Sequence, residues 1–130
     1  MDETYQIENV PLFANLPQAQ LEPLRKDAVR QLFKAGEIIF NHGDLPEHLY
    51  IVEEGGVDIV LPAKGDEIIL ASLEAGSFFG ELSVFDSHPR TAMARATADA
   101  SLICIPLASI AALTNRSPTA ARQFMSVIIH

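Results

Sequence analysis

The sequence predicts a mainly β fold, an antiparallel sandwich or barrel with a helical segment at each end. Between about residues 28 and 106, short runs rich in β-branched and aromatic residues recur at regular spacing, separated by turns that contain glycine, asparagine or aspartate. These runs do not alternate with helical segments, which disfavours a parallel α/β sheet. Before and after this region, apolar residues instead recur at the spacing of an α-helix.

The first helical segment covers about residues 8–27. Its apolar residues form a loose stripe, which consists of Leu12, Phe13, Leu16, Leu21 and Leu24. Pro17 and Pro23 are expected to break this segment into short pieces, because proline lacks the amide that a helix interior needs. We expect the stripe to pack against the sheet.

The β region, about residues 28–106, contains a series of predicted strands. They lie near residues 29–33, 38–40, 48–52, 57–61, 67–73, 78–79, 91–96 and 101–105. Gly36, Gly43, Gly55 and Gly76 fall where consecutive strands reverse, and glycine tolerates the positive φ that such turns can require. We therefore assign these glycines a structural role.

The last segment, about residues 107–130, is predicted to be helical again. A helix break and restart is predicted near residue 117, because Ser117 can cap a helix and Pro118 suits the first helical position. A second apolar stripe follows at helical spacing and consists of Ala121, Phe124, Met125 and Ile128. Two C-terminal helices are therefore expected.

Composition narrows the class of protein. A length of 130 residues fits one domain, 1–130, and an apolar content of 48% is enough for a core. The net charge of −8 argues against a nucleic-acid-binding surface and against docking on anionic lipid, since both need basic patches. Any anion site must therefore be a local basic spot in an acidic molecule.

The compartment is predicted from cysteine usage and from the absence of targeting signals. Cys104 is the only cysteine, so an internal disulfide is impossible, and its apolar surroundings predict a buried structural thiol. The acidic start, Met1 to Glu3, shows no signal peptide, and the longest apolar stretch is too short and interrupted to span a membrane. We expect a cytoplasmic protein.

The stretch that carries the candidate site is Phe79 to Ala96, FGELSVFDSHPRTAMARA. Gly80 has no Cβ, so a ligand can approach the backbone closely there. The next three residues, Glu81, Leu82 and Ser83, are predicted to begin a helix. Unpaired amides at a helix start bind anions, so this segment predicts an anion site.

Two side chains of this stretch suit different parts of one ligand. Arg90 follows Glu81 across a turn, and its planar guanidinium suits a phosphate. The Glu81 carboxylate only accepts hydrogen bonds, so its natural partner is a hydroxyl or a cation. A phosphate next to a sugar hydroxyl would satisfy both residues.

This stretch resembles the phosphate-binding cassette of the cyclic-nucleotide-binding domain family, which includes catabolite activator protein, kinase regulatory subunits and cyclic-nucleotide-gated channels. The family pattern is F-G-E-[LI], a short spacer and R-[TSA]-A; here it reads FGEL at Phe79–Leu82 and RTA at Arg90–Ala92. The segments GEIIFNHGD, LYIVEEGGV and LEAGSFFGEL resemble the family's glycine-punctuated strands. The resemblance runs from about Val10 to the end of the chain.

The resemblance implies an antiparallel β-roll, jelly-roll-like, flanked by N-terminal and C-terminal helices, with the cassette at residues 79–92. The ligand-binding residues that it implies are Gly80, Glu81, Leu82, Ser83, Arg90 and Thr91. By that similarity, Arg90 clamps the cyclic phosphate and Glu81 accepts from the ribose 2′-hydroxyl. Thr91 adds its amide and hydroxyl, and we lean to cAMP as the ligand, with cGMP possible.

The resemblance also implies a regulatory domain that is not an enzyme and uses no metal or cofactor besides the nucleotide. Binding would shift the population of the C-terminal helix from about Pro118, and the signal would pass to an effector domain, an effector subunit or a homodimer partner. The sequence stops at His130, so it identifies neither a base-capping residue nor an output domain. We expect no room for a DNA-binding helix pair.

Three alternatives remain from the residues alone. A metal-dependent barrel enzyme of the cupin type needs closely spaced histidines and a carboxylate on facing strands, but a turn separates His42 from His48. Haem sensing needs an axial ligand that the sequence does not place, and His88 falls in the cassette spacer. The main competitor is a structural or protein-interaction module on the same fold that no longer binds a nucleotide.

Overall fold

The structure is a computed structural model. It describes residue 7, residues 10–80 and residues 88–128, with side chains to residue 126. The helices are α1 (Gln18–Asp27), α2 (Leu107–Arg116) and α3 (Pro118–Ile128). The strands are β1 (Val29–Phe33), β2 (Ile38–Phe40), β3 (His48–Glu54), β4 (Gly56–Ala63), β5 (Asp66–Glu74), β6 (Phe78–Phe79), β7 (Met93–Ala96) and β8 (Ala100–Pro106). The prediction of a mainly β fold flanked by helices is confirmed.

The strands form two four-stranded antiparallel sheets. One sheet has the order β1-β8-β3-β6, and the other has the order β2-β7-β4-β5. Strands distant in sequence therefore become neighbours, such as β2 with β7 and β3 with β6. This pairing carries the end of β2 and the start of β3 to the cassette.

The β3 strand is buried on both faces because it separates two apolar clusters. Leu49 and Ile51 face the helices and join the cluster that contains the predicted N-terminal stripe. Tyr50 and Val52 alternate with them and point between the sheets, as period-two geometry requires. The predicted packing of the stripe against the sheet is confirmed.

Apolar side chains of the helices and of the segment before α1 pack against this sheet. Of the predicted second stripe, Phe124 is buried, but Met125 is 42% exposed. Phe13 and Phe124 meet edge to face, with ring centroids 5.4 Å apart. The predicted cap is also present, since the Ala120 amide donates to Ser117 Oγ at 3.1 Å. Residues from both ends of the sequence thus share one cluster.

One predicted helix break is wrong. Pro23 lies inside α1, which continues to Asp27. The proline removes a hydrogen bond to the Ala19 carbonyl, but both residues are exposed, so water can satisfy that group. Burial of Leu21 and Leu24 holds the helix to the core on its other side. Pro17 does precede the helix, as expected.

Two predictions for single residues are confirmed. Cys104 is buried between the sheets, and burial raises the pKa of its thiol to about 11. The four turn glycines all have positive φ, between 88° and 95°. At Gly55 the backbone also approaches Asp99 closely, since an added Cβ would lie 2.5 Å from the Asp99 carbonyl oxygen.

Candidate functional site

The backbone of Arg90 is fixed by the turn that follows β2. Its amide donates to the Asp44 carbonyl at 2.7 Å, and its carbonyl accepts from the Gly43 amide at 2.7 Å. Residue 90 precedes β7, the strand that pairs with β2, so the turn and the arginine lie at the same end of this sheet. The arginine therefore emerges from an anchored segment.

The guanidinium of Arg90 is buried, with 7% of the residue exposed. Its Nη2 donates to the His48 carbonyl oxygen at 2.7 Å, where β3 begins. Its central carbon lies 4.3 Å from the centroid of the Phe40 ring and 5.9 Å from that of Tyr50. A buried cation is costly unless such partners replace its water, so this guanidinium has a prepared environment.

Gly80 lies close to the same guanidinium. It follows β6, which pairs with β3 through Tyr50 and Phe79 and so carries Gly80 to the start of β3. Its φ is +86°, and an added Cβ would lie 3.0 Å from Arg90 Nη1 and 3.1 Å from the His48 carbonyl oxygen. The two described ends of the predicted cassette are therefore in contact.

Three aromatic rings form a group beneath the arginine. Tyr50 and Phe79 are stacked with centroids 5.0 Å apart, and Phe40 lies 5.7 Å from Tyr50 and 6.0 Å from Phe79. Burial, as the largest cause, raises the pKa of the Tyr50 phenol, and the nearby Arg90 opposes this shift. The phenol is therefore neutral at physiological pH, and it adds no negative charge under the arginine.

Sequence reasoning missed Phe40, Tyr50 and the His48 carbonyl as parts of this site. The sequence places Tyr50 and Phe40 only in strands, because their approach to Arg90 depends on long-range strand pairing. Phe79 had a usable signal, since it directly precedes Gly80 in the FGEL string. Backbone carbonyls such as that of His48 have no signature in sequence.

The structure describes one of the four remaining predicted site residues. Thr91 is exposed in a bend before β7, so the strand begins two residues later than predicted. Glu81, Leu82 and Ser83 lie outside the described residues, and so does the predicted helix start. Their ligand roles, like those of Gly80, Arg90 and Thr91, stay predictions.

The histidines bear on the alternative of a metal-dependent enzyme. Among residues 7, 10–80 and 88–128, the histidine, cysteine and acidic side chains form no group of three or more that could hold a metal ion. His42 and His88 are exposed. Within the same part of the chain, no helix is both long enough and apolar enough to cross a membrane.

Comparison with known proteins shows the family of the chain. A family model, the cyclic nucleotide-binding domain, matches residues 30–117. The cyclic AMP receptor protein of Thermus thermophilus is 33% identical over 119 residues, which cover 91% of this chain and 55% of that protein. A cyclic nucleotide-gated potassium channel of Rhizobium etli is 30% identical over 109 residues, covering 84% of this chain and 29% of the channel.

A solved structure shows the same fold. The crystal structure of the Thermus thermophilus catabolite activator protein matches with a TM-score of 0.79 and 32% identity. The match covers 92% of this chain and 56% of that chain. The fold and the FGEL and RTA strings thus define a β-roll of the regulatory, nucleotide-sensing class. The chain belongs to the cyclic nucleotide-binding domain family.

The chain is shorter than the proteins that it resembles. It spans about half of the Thermus receptor, 55%, and 29% of the Rhizobium channel. The family to which the chain belongs consists of regulatory, nucleotide-sensing domains. What such a domain controls differs between a receptor and a channel.

Proposed function

We propose that this chain is a cyclic-nucleotide sensor domain that binds cAMP with the cyclic phosphate on Arg90. The observation that carries the proposal is the contact between Gly80 and the buried Arg90 guanidinium. Glu81 accepts from the ribose 2′-hydroxyl, and the Leu82 and Ser83 amides face the phosphate or ribose. Thr91 follows Arg90 directly and is exposed, which leaves its amide and hydroxyl accessible.

Charge supports a phosphate rather than a neutral ligand. The molecule carries a net charge of −8, so its general field repels anions. A buried guanidinium supplies a local positive charge in a site of lowered dielectric, where a charge-assisted hydrogen bond is strong. The same guanidinium donates to the His48 carbonyl oxygen, which holds it in place. A cyclic phosphate has the charge and the oxygen spacing to pair with such a fork.

A short path connects Arg90 to the C-terminal helices and supports signalling through them. The carbonyl of His48 accepts from Arg90, and the preceding carbonyl, that of Glu47, accepts from the Leu107 amide at 2.9 Å. Leu107 is the first residue of α2, which packs on α3. A ligand that favours one position of Arg90 would therefore bias the start of α2, and α3 would re-dock over the base.

Ligand choice and output are part of the same proposal. The Thermus relative is a cyclic AMP receptor by name, and we favour cAMP over cGMP for this chain. We propose that residues 1–130 act as one domain in the cytoplasm, without catalysis and without a metal. The output would be an effector domain or subunit, or a homodimer partner, reached through the C-terminal helix.

The test is calorimetric titration of the purified chain with cAMP and, separately, with cGMP. We expect binding of cAMP at micromolar affinity or tighter, and weaker binding of cGMP. The unfolding temperature of the chain should also rise when cAMP is present, since a ligand that binds only the folded state stabilises it. Absence of heat and of thermal stabilisation with both nucleotides would contradict the proposal and favour an interaction module.

A further inference from the structure

The Arg90 side chain lies on an aromatic ring that the cassette pattern does not include. The Phe40 ring is 4.3 Å from the guanidinium carbon, closer than the Tyr50 ring at 5.9 Å. Phe40 comes from β2, far from the cassette in sequence. It is itself half-buried and in contact with the rings of Tyr50 and Phe79.

We propose that Phe40 is a positioning residue for the phosphate-binding arginine, acting through a cation–π contact with Arg90. The inference rests on the proposed function, because it concerns how the same arginine is prepared for its ligand. The negative face of an aromatic ring attracts a guanidinium, and the attraction grows when the pair is removed from water. Arg90 is buried, so its contact with Phe40 is of the stronger kind.

Two contacts together fix the plane of the guanidinium. The Phe40 ring holds one face, and the His48 carbonyl holds Nη2 at 2.7 Å. A planar group held at one face and one edge keeps little rotational freedom. An arginine ordered before the ligand arrives loses less conformational entropy on binding, so Phe40 contributes to affinity without touching the ligand.

Phe40 is fixed by its own strand. It is paired with Ala94 of β7, and a register shift separates it from the pair formed by Ile38 and Arg95. Its ring therefore points between the sheets together with those of Tyr50 and Phe79. Because neighbouring rings hold Phe40 in place, it can orient the flexible side chain of Arg90. An isolated surface ring would move together with the arginine.

A purely structural role for Phe40 is the competing explanation, and ring electronics separate the two. Fluorination of phenylalanine withdraws electron density from the ring face and changes ring volume little. Incorporation of mono-, di- and trifluorophenylalanine at position 40 should weaken cAMP binding stepwise, while the unfolding temperature changes little. Phe40→Leu should weaken it by about three- to tenfold, the cost of ordering one flexible side chain on binding.

Phe33 offers the matched control. It belongs to the same apolar cluster between the sheets. Among the described residues, Arg90 lies over the rings of Phe40 and Tyr50 and not over that of Phe33. Phe33→Leu and fluorination at position 33 should leave cAMP affinity within about twofold. Affinity that is independent of fluorination at position 40, or an equal loss at position 33, would overturn the inference.

A ligand-free measurement keeps this test separate from the proposed function. The Phe40 ring current should shift the side-chain proton resonances of Arg90 upfield, and Phe40→Leu should reduce this shift to the smaller part that the Tyr50 ring causes. If the wild-type chain binds neither nucleotide, the proposed function fails, and this spectrum still decides the contact. Arg90 resonances that are identical in wild type and Phe40→Leu would overturn the positioning role.

Discussion

Replacing Arg90 with alanine is expected to weaken cAMP binding by about a hundredfold or more. The cyclic phosphate would lose two charge-assisted hydrogen bonds from one guanidinium, each worth about 1.5–3 kcal/mol. The loss should appear with cGMP as well, because both nucleotides carry the same phosphate. Calorimetric titration of Arg90→Ala next to the wild type measures the effect.

Because Arg90 is buried, its removal also affects the fold, and two further variants separate the causes. Arg90→Lys keeps the positive charge but loses the planar fork, so it should bind more weakly than the wild type while remaining folded. Arg95→Ala is the matched control, since Arg95 forms a partly exposed ion pair with Glu67 on β5. Affinity unchanged in a folded Arg90 variant would show that the phosphate binds elsewhere.

Replacing Gly80 with alanine is expected to weaken cAMP binding by at least about tenfold. The added Cβ would lie 3.0 Å from Arg90 Nη1 and 3.1 Å from the His48 carbonyl oxygen, so the guanidinium or the backbone must shift. The φ of +86° adds a cost of about 1–2 kcal/mol for any residue with a Cβ. The measurements are cAMP affinity and the unfolding temperature of Gly80→Ala.

Gly36 separates the steric effect from the backbone cost. Its φ is +88°, nearly the same as that of Gly80, but an added Cβ would meet no atom within 4 Å. Gly36→Ala should therefore lose similar stability and keep the affinity of the wild type. If both variants lost affinity equally, close contact at Gly80 would not be the cause.

Much of the fold was predictable from local pattern. Alternating apolar residues and turn glycines located the strands, because period-two burial and positive φ leave clear marks in sequence. The wrong prediction at Pro23 concerns a feature that leaves no such mark in the sequence. A single lost helical bond on an exposed face costs less than the burial of Leu21 and Leu24 returns, and sequence alone does not show which side of a helix is buried.

The site was predictable only in part. The contact between Gly80 and Arg90 could be expected, because both belong to one short string. The contribution of Phe40 and of the His48 carbonyl could not, since it depends on β2 pairing with β7 and on β3 pairing with β6. Strand pairing over tens of residues sets these contacts, and no local pattern encodes it.

Recognition of the phosphate by Arg90 is the central feature of the proposed site. We would measure the dissociation constants of the wild-type chain for cAMP and for adenosine, which has the same base and ribose but no phosphate, under the same conditions. Binding of cAMP at least about a hundredfold tighter than adenosine is the predicted result. Equal affinities, or no detectable binding of cAMP, would contradict it.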